Sequence, residues 1–229
     1  PMNYKNKYTI TYNGEIYNYK ELRDKLTGMG YKFSNETDRE VILAAYDHWG
    51  QKCVEKFNGM WAFAIHDKDS EIIFLSRDRF GIKPLYYLST GDKFLFGSEI
   101  KQLLQFSNRK ANFDRIYDYL ILSKDEHDSH TFFSDIFKVP SGSNMVYDLK
   151  KNYFKIIRYY SIKIFSENKN LKLEKSYKGF KDLLYKSIKL RLRSDVEVGS
   201  CLSGGLDSSA IVSVVSSINK GISSFNLKT

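Results

Sequence analysis

Hydrophobic and polar positions change their period several times along the chain, and each change marks an element. "KYTITYNGEIYNY" (7–19) begins with alternating β-formers, which predicts a strand running into a loop at Asn13-Gly14. "YKELRDKLTGMG" (19–30) predicts a helix closed by its glycines. "TDREVILAAYDHWG" (37–50) predicts a second helix, capped by Thr37 or Asp38, with Val41, Ala45 and Trp49 on one face. In "MWAFAIHDKDSEIIFLSRD" (60–78) two nearly continuous apolar runs, Trp61–Ile65 and Ile72–Leu75, flank a polar turn. Such arms predict a hairpin in a sheet covered on both faces. "PLYYLSTGDKFLFGS" (84–98) repeats the device around Thr90-Gly91-Asp92. Helical patterns follow at 98–106 and 112–122, and a third strand pair lies within 143–160.

The pattern then changes. Residues 161–174 are polar and without period, as in a linker. An amphipathic helix follows at 174–195, with Tyr177, Phe180, Leu184 and Ile188 on one face. After it come a short strand, "EVGSCL", a helix, "DSSAIVSVVSSI", and another short strand, "ISSFNLK". Strand, helix and strand in that order indicate a parallel α/β unit. The chain therefore divides into antiparallel hairpins with helices up to about residue 160 and the start of a parallel domain from about residue 174.

Composition narrows the class. Of 229 residues 42% are hydrophobic and 15% aromatic, enough for a substantial core. No apolar run approaches the roughly 20 residues of a membrane helix, so no membrane partner is expected. The net charge of +9 raises nucleic-acid binding, but the lysines are spread along the chain without an Arg-rich block, and no nucleic-acid partner is expected. Two cysteines, Cys53 and Cys201, cannot form a disulfide framework, which favours a cytoplasmic location. Both are expected to be buried, and "HDSH" at 127–130 reads as a polar loop rather than a metal site.

The densest chemistry lies in "LSGGLDSS" (202–209), between a strand and a helix. Glycines let backbone N–H groups approach a ligand, a helix N-terminus adds partial positive charge, and the serines add hydroxyls. The result is a cradle for phosphate or pyrophosphate. Asp207 stands where the common P-loop carries lysine, which makes sense if Mg²⁺ bridges the acid and the phosphates.

This octet resembles the signature of the PP-loop ATP pyrophosphatases. The blocks "YNGEIYNYKELR", "TDREVILAAYDHWG", "FNGMWAFAIHD", "RDRFGIKPLYY" and "FGSEIKQLL" resemble, in order, the glutaminase domain of glutamine-hydrolysing asparagine synthetases. The resemblance implies an antiparallel αββα sandwich of the N-terminal-nucleophile type, an α+β fold, followed by a parallel-sheet PP-loop α/β domain. It implies a glutaminase domain over 1–160, a linker over 161–173 and a synthetase domain from 174 to 229. The implied reaction combines ammonia from glutamine with ATP-dependent adenylation of aspartate to give asparagine, AMP and pyrophosphate. Glutamine, aspartate and ATP are thus the implied partners, with Mg²⁺, and a homodimer is compatible with it. A sister enzyme acting on a sugar acid or a β-lactam precursor, or a non-catalytic nucleotide-binding homologue, are the alternatives.

The resemblance also assigns roles. Asn13 and Gly14 match the oxyanion hole, and an amide NH₂ with a glycine N–H suits that task. With Glu15 and Asp38 they match the glutamine-binding set, the two acids holding the α-amino group. The family's Ser-Asp-Thr-Glu reads Thr37-Asp38-Arg39-Glu40 here, keeping the acid. From the residues alone, Asn13-Gly14 reads as a turn and Asp38 as a helix cap. Leu202, Ser203, Gly204, Gly205, Asp207, Ser208 and Leu227 match the ATP site, with Asp207 toward Mg²⁺. "RDRFGIKPLYY" is read as structural, an internal ion pair and turn joining two hairpins. The family pattern places the nucleophilic cysteine upstream of Pro1 and the rest of the ATP site beyond Thr229, so the chain is read as an internal fragment that catalyses neither half-reaction.

Overall fold

The computed structural model describes residues 1–91, 93–125, 127–162, 172–194 and 198–219. Pro1–Ile162 form one compact unit and the chain from Lys163 another.

In the first unit the predicted hairpins form and pair across long distances in sequence. Strands β1 (Met2–Tyr4), β2 (Tyr8–Ile16), β3 (Gly59–Asp67), β4 (Ile72–Arg77), β8 (Ser143–Asp148) and β9 (Tyr153–Arg158) make a six-stranded antiparallel sheet in the order β1-β2-β3-β4-β8-β9. Strands β5 (Tyr86–Thr90), β6 (Lys93–Gly97) and β7 (Ile136–Lys138) make a second, in the order β6-β5-β7.

Alternation along β3 explains the layering, because a strand sends successive side chains to opposite faces. Trp61, Phe63 and Ile65 join one core with Leu22 and Leu26 of α1 (Tyr19–Thr27) and Val41–Tyr46 of α2 (Asp38–Trp49). Ala62 and Ala64 face the other way and pack with Tyr87 of β5, Met145 of β8 and Phe94 and Phe96 of β6. Leu88 of β5, on the far face of the small sheet, packs with Leu103 of α3 (Ile100–Leu103), which precedes α4 (Phe113–Leu122), and with Ile136 of β7. The layers are therefore helix, sheet, sheet, helix, as expected for an αββα sandwich. Small alanines at the junction let the sheets approach. Trp61 anchors the opposite face, fully buried with its indole N–H donating to Ser76 Oγ at 3.0 Å. Each such buried large side chain contributes about 1.5–3 kcal/mol.

One expectation is corrected. Asn13-Gly14 is not a loop: β2 runs through it, Asn13 opposite Ala62 and Gly14 opposite Trp61. The pairing with β3 supplies partners for the backbone, and this overrides the local turn preference.

Among the described residues the second unit is a helix pair, α5 (Leu173–Arg191) and α6 (Leu206–Asn219). Ile188, Val214 and Val215 form its core, flanked by Leu184 and Leu192. Tyr177 and Phe180, on the predicted apolar face of α5, are exposed. Of the strand expected in "EVGSCL", 198–202 are irregular and 197 lies outside the described residues, as does "ISSFNLK". Leu202 is 51% exposed, and Cys201 is exposed rather than buried. A parallel strand is buried only when neighbouring strands and helices cover it, and the described residues of this unit include no strand.

Candidate functional site

Two elements build the first site. On β2, Asn13 lines a cavity of about 450 Å³ whose walls include Ala62 and Ala64 of β3, Phe96 of β6 and Ser98. Its amide lies 3.5 Å from Ser98 Oγ, a long contact that leaves it available to a ligand. Gly14 has φ +156°, and a β-carbon there would meet Met60 O at 2.2 Å and Trp61 Cα at 2.7 Å. Glycine is thus demanded by the approach of β3. Glu15, half-buried, shares the Asn13 side of the strand by alternation.

Asp38, the first residue of α2, supplies the second element. Thr37 is the N-cap but its side chain makes no cap bond, and neither does Asp38 cap the helix. The carboxylate reaches back to β2 instead. Its Oδ2 accepts from the Tyr12 hydroxyl at 2.6 Å and from the Ile16 N–H at 3.0 Å. Tyr12 and Ile16 bracket Asn13-Gly14-Glu15, so one carboxylate oxygen ties the helix to both ends of that triplet. Burial, and next the Asp38 carboxylate, push the Tyr12 phenol far above its ordinary value, so it stays a hydrogen-bond donor.

Glu40, in the same turn of α2, is buried and holds the preceding loop. It accepts from the Ser34 N–H at 2.9 and 3.1 Å, the Ser34 hydroxyl at 2.9 Å and the Asn35 N–H at 3.0 Å. The loop that delivers Asp38 is therefore fixed from one side by Glu40 and from the other by β2. Sequence reasoning missed both Tyr12 and Glu40. Their partners lie on other segments, and only the loop's polar residues hinted at the second.

The segment 77–83 is structural, as read, but by a different device. Asp78 is fully buried and accepts four backbone N–H groups: Phe80 at 3.1 Å, Ile82 at 3.0 Å, Lys83 at 2.9 Å and Trp61 at 3.2 Å. Arg77 donates to the carbonyls of Lys83, Val139 and Gly81 at 2.8–2.9 Å. The expected ion pair is replaced by bonds to backbone, because the tight turn leaves those groups buried without other partners.

In the second unit, the loop before α6 brings Ser203, Gly204, Gly205, Asp207 and Ser208 together, all exposed apart from Ser208, which is half-buried. Ser203 Oγ and Ser208 Oγ are 3.0 Å apart, and Ser208 Oγ donates to Gly205 O at 3.1 Å. Gly204 has φ +80° with nothing within 4 Å of a β-carbon position, so it supplies the left-handed turn and leaves space above it. Paired hydroxyls, an open glycine turn, a 14-residue helix N-terminus and one carboxylate are a donor set that fits phosphates with a partly hydrated Mg²⁺. Leu202 precedes the loop, and Leu227 lies outside the described residues. Among the described residues no cluster of three or more His, Cys, Asp or Glu forms a metal site. His127 Nε2 lies 3.2 Å from Asp118 Oδ2 and His130 Nδ1 3.1 Å from Asp128 Oδ2. No helix among them is long and apolar enough to cross a membrane.

Two family models match the chain: the glutamine amidotransferase domain over residues 1–160 and asparagine synthase over 179–229. Asparagine synthetase 1 (glutamine-hydrolysing) of Bacillus subtilis is 37% identical over 99% of this chain and 36% of its own length. Asparagine synthetase 3 of the same organism is 36% identical over 90% of this chain and 33% of its own. The chain thus spans about a third of the length of these relatives. A solved glutamine phosphoribosylpyrophosphate amidotransferase from B. subtilis is 15% identical, with a TM-score of 0.49, over 94% of this chain and 45% of that one.

Proposed function

The chain belongs to the glutamine-hydrolysing asparagine synthetase family, and from that premise we propose that it is part of an enzyme that makes asparagine from aspartate, glutamine and ATP. We assign 1–160 to glutamine hydrolysis, 161–173 to a linker and 174–229 to the beginning of the synthetase domain. The observation that carries the reading is the Asp38 tether: a carboxylate anchored to both flanks of Asn13-Gly14-Glu15, beside a cavity that Asn13 lines.

In this reading glutamine lies with its side-chain amide toward Asn13 and Gly14. The Asn13 amide N–H and the Gly14 backbone N–H donate to the oxygen that becomes negative as the carbonyl carbon turns tetrahedral. Such a donor contributes about 2.7–4 kcal/mol to lowering the barrier. Glu15 and Asp38 accept from the α-ammonium, which fixes the substrate's register by charge-assisted hydrogen bonds. Cys53 does not line the cavity and is fully buried, so it does not serve as the nucleophile.

At the second site, Ser203, Gly204, Gly205 and Ser208 hold the pyrophosphate part of ATP, with Leu202 toward the nucleoside. Asp207 would hold Mg²⁺, which would supply charge neutralisation for the phosphates. Bound ATP·Mg²⁺ supplies the adenylyl group that activates the aspartate carboxylate for attack by ammonia. The free thiols of Cys53 and Cys201 favour the cytoplasm as the compartment.

The test is asparagine formation by the full-length protein, with pyrophosphate release as a second readout. Glutamine- and ATP-dependent asparagine is the expected product. Pyrophosphate release with another carboxylate acceptor, and none with aspartate, would overturn the assignment of aspartate. Asp207→Ala is expected to lower pyrophosphate release at least a hundredfold while leaving glutamine binding unchanged.

A further inference from the structure

We infer that Tyr12 is a positioning residue for glutamine, acting through Asp38, an inference that rests on the glutaminase reading above. Asp38 Oδ2 is saturated by two donors from one strand, the Tyr12 hydroxyl at 2.6 Å and the Ile16 N–H at 3.0 Å. Oδ1 has no hydrogen-bond partner among the described residues. A carboxylate gripped at one oxygen by two fixed donors cannot rotate, so the second oxygen is presented in one direction. That oxygen is the one left to accept from an ammonium group.

Geometry explains why a tyrosine does this. Tyr12 packs against the core beneath α2 and also lines the cavity next to Asn13. The ring is held by that packing, and the hydroxyl reaches beyond it to the first turn of the helix. Ile16 completes the grip through its backbone, which sheet pairing with Gly59 fixes. The two donors therefore reference Asp38 to the same strand that carries the proposed oxyanion hole. Tyr12 sets the distance between the amine end and the amide end of the substrate through Asp38.

The experiment compares L-glutamine with glutaramate, which lacks the α-amino group, in the full-length enzyme. In Tyr12→Phe, which removes one oxygen and keeps the packed ring, KM for L-glutamine should rise about tenfold with kcat within about twofold. Glutaramate hydrolysis should be unchanged, because it makes no contact with Asp38. In an Asp38→Ala background, adding Tyr12→Phe should cost nothing further, since the pair acts as a unit. A 4-aminophenylalanine at position 12 keeps a donor in place and should restore the wild-type KM; it also serves if Tyr12→Phe fails to fold. Equal losses toward both substrates, additive costs with Asp38→Ala, or no change at all would overturn the inference. Failure of the wild-type enzyme to hydrolyse glutamine would overturn the proposed function instead.

Discussion

The carbonyl oxygen of Met60 lies 2.2 Å from the place where Gly14 would carry a β-carbon. The approach is mutual: a β-carbon on Gly59 would lie 2.1 Å from Glu15 O. Strands β2 and β3 are thus drawn together at the residues proposed to meet the substrate amide. Gly14→Ala should force them apart, cost about 3 kcal/mol or more and abolish glutamine hydrolysis. Denaturant unfolding and ammonia release measure both effects. A stable, active Gly14→Ala enzyme would contradict the close approach.

Asp78 should prove the most sensitive acid of the first unit. Asp78→Ala strips four N–H groups, that of Trp61 buried and those of Phe80, Ile82 and Lys83 part-buried, of their acceptor at once. The expected loss is about 3–5 kcal/mol, since each unsatisfied buried donor costs about 1–3 kcal/mol and relaxation recovers part. Urea midpoints of the two proteins provide the comparison, and a change below about 1 kcal/mol would show that the turn holds by other means.

The two cysteines should differ sharply in reactivity. Burial pushes the Cys53 thiol far up from its ordinary value, whereas Cys201 is exposed. Ellman's reagent should titrate Cys201 rapidly in the native protein and Cys53 only after unfolding. Rapid modification of both would indicate that the core around Cys53 opens readily.

Asp47 should make stability depend on acid pH. Its Oδ2 receives Lys5 Nζ at 2.8 Å and the Tyr31 hydroxyl at 3.0 Å. Burial alone would raise this carboxyl, but the hydrogen bonds from Lys5 and Tyr31 outweigh it and hold the group below its ordinary value. The folded state therefore binds this proton less tightly than the unfolded chain. The stabilisation is present above about pH 4, where the unfolded carboxyl is ionised, and is lost as pH falls below that. Asp47→Ala should cost about 1–2 kcal/mol at neutral pH, with the gap to wild type closing in the acid range. A gap that is constant to pH 2 would exclude the linkage.

Local elements were legible because their periods were clean. The arms around Trp61–Ile65 and Ile72–Leu75, the hairpin after Leu85 and the pair beginning at Ser143 all lie where alternation and turn residues place them. Pairing across the chain was not legible. Nothing local to Phe74 specifies Val146 as its partner, and the short β7 carries too few residues to show a period. The candidate site shows the same division. Asn13, Glu15 and Asp38 are reached through the resemblance to family motifs and not from their residue types, and the turn preference of Asn13-Gly14 hides the strand that continues through it. The Tyr12–Asp38 bond, spanning 26 residues, has no sequence period to betray it. Cys201 misled because an apolar neighbourhood in sequence says nothing about whether a cover exists in space.

The pairing of β4 with β8 has a consequence for synthesis. Ile72 is matched to Asp148 and Ser76 to Asn144, so β4 emerges from the ribosome well before its second neighbour exists. At roughly 5–20 residues per second, the 65 residues from 78 to 142 take roughly 3–13 s. During that interval β4 is an open edge carrying Phe74 and Leu75, a template for another nascent chain. Translation speed across residues 78–142, and chaperone supply while they are made, should therefore govern the yield of soluble protein more than the stability of the finished fold.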